Sequence, residues 1–97
     1  MKSSKRRALG QHFLKNPRIV SKIVQIINPQ KDSLIIEIGA GKGELTLPLA
    51  QKGGLVIALE KDPDFVLFLK TILPQNVILL EADILKVDLG ELLSRYS

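Results

Sequence analysis

The chain has 97 residues, 45% of them hydrophobic and 25% charged, with 14 Lys and Arg against 10 Asp and Glu, and no Cys or Trp. That length allows one domain at most; the absence of Cys excludes a disulfide framework or thiolate metal site, and one His cannot build a zinc site without several carboxylates. No apolar run approaches the ~20 residues of a membrane-spanning helix and no long apolar segment follows the basic start, so the default compartment is the cytoplasm.

Charge divides the chain unevenly. Residues 1–22 hold seven basic residues (Lys2, Lys5, Arg6, Arg7, Lys15, Arg18, Lys22) and no acidic one, a balance of +7. The remainder holds the other seven basic residues and all ten acidic ones, a balance of −3. A basic arm on a mildly acidic body suits an anionic partner, nucleic acid above all, because Lys and Arg displace counterions condensed on phosphates. A solvated tail has the same composition. Residues 1–16 therefore read as a basic arm and 17–97 as the folded part.

Asn16-Pro17 reads as a helix start, with Asn as cap and Pro at the first position. Ile19, Val20, Ile23, Val24, Ile26 and Ile27 then recur at helical spacing, and Asn28-Pro29 stops the run. Leu34–Ile38 is short, apolar and β-branched, as in a buried strand. After the glycines at 39, 41 and 43 a helix is expected from Glu44 to about Lys52, starting late or bending at Pro48. Leu55–Leu59 is a second strand, closed by Glu60. Asp62-Pro63 opens a helix whose apolar face runs from Phe65 to Leu73, ending at Pro74. Val77–Leu80 is a third strand, closed by Glu81-Ala82-Asp83, and a last helix begins near Gly90. Strands alternating with helices imply three parallel strands with flanking helices, half of a Rossmann-like α/β domain.

The stretch Glu37-Ile38-Gly39-Ala40-Gly41-Lys42-Gly43-Glu44 places a glycine turn between a strand and a helix. Such a turn lets a ligand approach the backbone. Glu44 stands where the dinucleotide fingerprint has its third Gly, and no Gly-Lys-Ser/Thr of a phosphate loop occurs. Glu60 follows Gly43 by 17 residues, near the offset at which a carboxylate takes ribose hydroxyls. Asp83, after the third strand, is a candidate acceptor for an adenine amino group. Singly, each is equally a turn or capping residue. Together they fall on one edge of a parallel sheet, where open α/β sheets bind ligands. A nucleoside with a charged, non-phosphate tail fits them, and S-adenosylmethionine is one.

Leu9-Gly10-Gln11-His12-Phe13-Leu14-Lys15-Asn16-Pro17, the glycine segment, Leu59-Glu60-Lys61-Asp62 and Ala82-Asp83 resemble the rRNA adenine-N6 dimethyltransferases, among them the KsgA-type ribosome-maturation enzymes and the erythromycin-resistance methylases. The resemblance runs from Leu9 to about Leu92. It implies S-adenosylmethionine as cofactor, small-subunit rRNA or an immature small ribosomal subunit as partner, and two methyl transfers to each of two adenines near the rRNA 3′ end. It further implies that His12 and Leu14 line the cofactor site, Gly39 and Gly41 approach the methionine moiety, Glu60 holds the ribose, Asp83 the adenine amino group, and Ile84 packs on the adenine. Lys5, Arg6 and Arg7 are the candidate RNA contacts. His12 replaces an Asn common in bacterial members, and Lys61 stands where an apolar residue often flanks the adenine, a place only its stem could fill.

The family's Asn-Leu-Pro-Tyr motif, which holds the target adenine, is missing from this sequence. The chain thus reads as the N-terminal part of such an enzyme, inactive alone, without a catalytic residue of its own and without a metal. Two other readings fit parts of the sequence: a non-catalytic RNA-binding or ribosome-assembly module, and a nucleotide-binding domain of another enzyme class. With strands in the order 3-2-1, residues 34–38 form an open edge with apolar faces, and the chain is expected to self-associate there.

Overall fold

The computed structural model describes residues 15–96. His12, Leu14, Lys5, Arg6 and Arg7 lie outside the described residues. The elements are α1 (Pro17–Ile27), β1 (Leu34–Ile38), α2 (Thr46–Gln51), β2 (Leu55–Glu60), α3 (Pro63–Leu69), β3 (Val77–Glu81), a 3-10 turn (Ile84–Lys86) and α4 (Leu89–Tyr96). Among the described residues no helix is long and apolar enough to cross a membrane.

The caps work as the sequence implies. The Asn16 side chain accepts from the Arg18 N–H, and the Asp62 side chain from the Asp64 N–H, each followed by Pro at the first helical position. Asn28 closes α1 in the left-handed region (φ 50°), which Asn tolerates, and its N–H reaches the Val24 carbonyl. Helix α2 starts at Thr46, two residues later than Glu44. Pro48 is the reason: in the third helical position its missing N–H is one that has no partner within the helix anyway. Helix α3 stops at Leu69, short of the expected Leu73. There the N–H groups of Thr71 and Ile72 switch to carbonyls three residues back, and the Thr71 hydroxyl also donates to the Phe68 carbonyl. Ile72 and Leu73 still pack inward from this irregular turn.

The sheet is parallel, in the order β1-β2-β3, with Ile36 opposite Ile57 and Ile57 opposite Ile78. Because the order advances in one direction, crossovers of one hand leave α2 and α3 on the same face. On that face Val56 and Ile35 pack with Val20 and Val24 of α1 and Leu49 and Ala50 of α2, while Ala58 and Leu79 pack with Leu69 of α3. On the other face Ile57 and Leu59 pack with Leu92 of α4, flanked by Leu34, Ile36 and Tyr96. Central β2 is buried from Val56 to Glu60.

This corrects one expectation. The faces of β1 are not left open: α1 and α2 cover one, and the segment after β3 returns to cover the other. Among the described residues, what stays open is the backbone edge of β1 and the side chain of Ile38, 57% exposed.

Candidate functional site

The site lies where the three strands end together. The Gly39 N–H (2.8 Å) and Ala40 N–H (3.3 Å) donate to the Leu59 carbonyl, and the Ala82 N–H donates to the Glu60 carbonyl (3.0 Å). The glycine turn, Glu60 and the residues after β3 are therefore neighbours, as parallel register requires.

The turn has a left-handed backbone at Gly39 (φ 77°), Gly41 (φ 60°) and Gly43 (φ 86°). The three glycines serve different ends. A Cβ at Gly39 or Gly41 would meet nothing within 4 Å, so both border open space. A Cβ at Gly43 would lie 3.2 Å from Ile72 Cδ1 and 3.3 Å from Leu69 Cδ2, so this glycine lets the turn sit against α3. The first two form a cradle that a ligand can approach; the third is a packing residue.

Glu60 is 2% exposed. Its Oε1 accepts from the Gly41 N–H and its Oε2 from the Asp62 N–H, both at 2.8 Å. The carboxylate thus ties the tip of the glycine turn to the start of α3.

Asp83 is half-buried, and its Oδ1 caps the 3-10 turn by accepting from the Leu85 N–H at 3.0 Å. With Lys61, Glu81, Lys86 and Val87 it lines a cleft of about 400 Å3 beside the ends of β2 and β3. Ile84 is half-buried and joins the cluster of Ile57, Leu59 and Leu92, so part of its surface serves the core.

Two further carboxyls adjoin the turn, and the sequence reading gave neither a role. Glu37 ends an apolar run on β1, is 8% exposed, and accepts a hydrogen bond from the Thr46 hydroxyl at the start of α2. Burial pushes its carboxyl up to about 7 from 4.5; the Thr46 bond opposes this, and the charges of Glu44 and Glu60 add to it. Glu44 has its Oε2 buried with no hydrogen-bond partner. A charged residue within Leu-Ile-Ile-Glu-Ile was the available signal: a carboxyl in a buried strand needs a partner or a proton.

With the acids Glu44 and Glu60 beside it, the glycine turn is a poor seat for a pyrophosphate. That separates this turn from the phosphate-binding turns it resembles.

A family model described as ribosomal RNA adenine dimethylase matches residues 2–96. The chain belongs to the ribosomal RNA adenine dimethylase family. A relative named ribosomal RNA small subunit methyltransferase A, from Mycoplasma capricolum, is 42% identical over 88 residues, covering 90% of this chain and 33% of that protein. The chain thus spans about a third of the length of the curated relatives it matches. Among solved structures, a dimethyladenosine transferase from Plasmodium falciparum superposes with TM-score 0.69 at 27% identity, covering 75% of this chain and 28% of that one. Coclaurine N-methyltransferase, bound to N-methylheliamine and SAH, has TM-score 0.64 at 22% identity over 73% of this chain and 23% of its own, a likeness of fold. The three parallel strands with flanking helices are the N-terminal half of the Rossmann-like methyltransferase fold.

Proposed function

We propose that this chain is the cofactor-binding part of an S-adenosylmethionine-dependent rRNA (adenine-N6,N6) dimethyltransferase acting on adenines near the 3′ end of small-subunit rRNA. Family membership supports the reaction class. The observation that carries the cofactor is the glycine turn ringed by Glu37, Glu44 and Glu60, with open space at Gly39 and Gly41. S-adenosylmethionine supplies a methyl group already activated by its sulfonium, so the protein needs no nucleophile, only alignment.

In this reading Gly39 and Gly41 admit the methionine end, and Glu60, at the end of β2 beside the turn, takes the ribose hydroxyls. Asp83 takes the adenine amino group within the cleft that Lys61 and Lys86 flank, and the free surface of Ile84 meets the ring. The family resemblance adds His12 and Leu14 to the lining of the cofactor site, and Lys5, Arg6 and Arg7 contact RNA. The 97 residues contain no Asn-Leu-Pro-Tyr segment to hold the acceptor base, so this chain by itself transfers no methyl group. The open edge of β1 pairs with a second copy.

Calorimetry tests the cofactor assignment. S-adenosylmethionine is expected to bind weakly to the chain, and more weakly still after Glu60→Ala. Equal binding by the two proteins would remove the ribose contact from this account.

A further inference from the structure

The outer surface of α1 is the most one-sided in charge among the described residues. The helix contains no acidic residue. Val20 (8% exposed) and Val24 (7%) turn inward, while Lys15, Arg18, Ser21, Lys22 and Gln25 are exposed. Across from them, Gln51 and Lys52 at the end of α2 are exposed as well. Between the two helices runs a groove of about 670 Å3, floored by Val20, Val24 and Pro48. A shallower hollow of about 380 Å3, edged by Arg18 and Lys22, shares Pro17, Ser21 and Gln25 with it. None of these four cations is ion-paired with a described residue; the ion pair among the described residues that involves an Arg is Arg95–Glu91, on α4.

We propose that the exposed side of α1, from the hollow edged by Arg18 and Lys22 to the adjoining groove edged by Lys15 and Lys52, is a track for an RNA backbone, separate from the cofactor turn. This rests on the reading above that RNA is the substrate. The rise of a helix, 1.5 Å per residue, sets Arg18 and Lys22 about 6 Å apart along α1, on the same side as Lys15. Cations in a row, with no acid between them, match a run of phosphates. Ser21, Gln25 and Gln51 add side-chain donors suited to phosphate or ribose oxygens. Among the described residues the groove has no aromatic side chain for a base to stack on, so their contact reads backbone rather than sequence.

Glu44 is the one acid of the groove and stands at the end nearest the glycine turn. It turns a phosphate away from that end, so the strand follows α1 and leaves the cofactor turn to its cation. An anionic lipid surface fits less well. A helix lying on a membrane turns its apolar stripe outward, and the stripe of α1 is spent on the core.

The test is a salt titration of the full chain with a short RNA hairpin, comparing wild type with the triple variant Arg18→Gln, Lys22→Gln, Lys52→Gln. Each lost phosphate contact lowers the log–log slope by roughly 0.7–0.9, so a fall of about 2 is expected. S-adenosylmethionine binding, followed in parallel, should be the same in both proteins. Equal RNA slopes would overturn the groove while leaving the substrate reading intact. A wild type that binds phosphatidylserine vesicles but no hairpin would overturn both. A chain that shows the slope change yet fails to bind S-adenosylmethionine would keep the groove and remove the cofactor reading.

Discussion

Glu37 is the residue whose chemistry is set most strongly by its surroundings. Its carboxyl sits near 7 in the fold against 4.5 as its ordinary value, chiefly through burial. A raised carboxyl favours folding while both states hold the proton. That advantage is fully present below about 4.5 and is lost as pH rises toward 7, where the unfolded chain is ionised and the fold must follow. The span corresponds to at most about 3 kcal/mol. Denaturant midpoints are therefore expected to fall between pH 5 and pH 7.5, and Glu37→Gln should flatten that decline while keeping a partner for the Thr46 hydroxyl. A variant that declines as steeply as wild type would place the titrating group elsewhere. The sequence showed the carboxyl in its strand; its protonation depends on Thr46, Glu44 and Glu60, whose approach only the folded chain brings about.

At the scale of elements, the glycine turn joins β1 to α2. Its glycines were legible as a group, but their division of labour was not, because φ and the distance to α3 decide it. Gly41→Ala meets only the cost of a left-handed backbone, about 1–2 kcal/mol. Gly43→Ala adds contacts with Ile72 and Leu69 that are too close, so its loss should be the larger of the two, roughly 2–4 kcal/mol with the strain and the overpacking together. Chemical denaturation of the two variants gives the comparison, and an equal loss would mean that α3 yields freely to the turn. The same distinction explains the early end of α3. Its apolar periodicity runs on to Leu73, yet the chain leaves helical geometry after Leu69 while keeping Ile72 and Leu73 in the core.

At the scale of the whole molecule, the feature left without a partner among the described residues is an edge. The Leu55 N–H donates to the Ser33 carbonyl and the Gly39 N–H to the Leu59 carbonyl, so odd-numbered residues of β1 bond to β2. Leu34, Ile36 and Ile38 then direct their backbone groups outward. In a two-fold antiparallel pairing, Ile36 meets its own copy and Leu34 meets Ile38, burying the exposed Ile38 side chain. Static light scattering should show the mass rising with concentration, and Ile38→Lys should suppress that rise. A constant monomer mass for wild type would remove the dimer. Coverage of both faces of β1 makes this association weaker than an uncovered strand would give, since less apolar area is available at ~25 cal/mol per Å2.

The order and type of the elements followed from the sequence alone, because their causes act over a few residues. Asn16 and Asp62 cap, Pro17 and Pro63 start helices, Pro48 delays one, and the β-branched runs at 34–38, 55–59 and 77–80 form strands. The shared edge of the glycine turn, Glu60 and Asp83 also followed, since parallel strands end together, while the sheet order came from the resemblance to methyltransferases. The tertiary structure alone decided that Glu60 is bound to the Gly41 N–H, that Glu37 holds its proton near neutral pH, that α4 closes the second face, and that α1 and α2 leave a cationic groove between them. Those outcomes depend on desolvation and on contacts between residues far apart in the chain, which local periodicity does not encode.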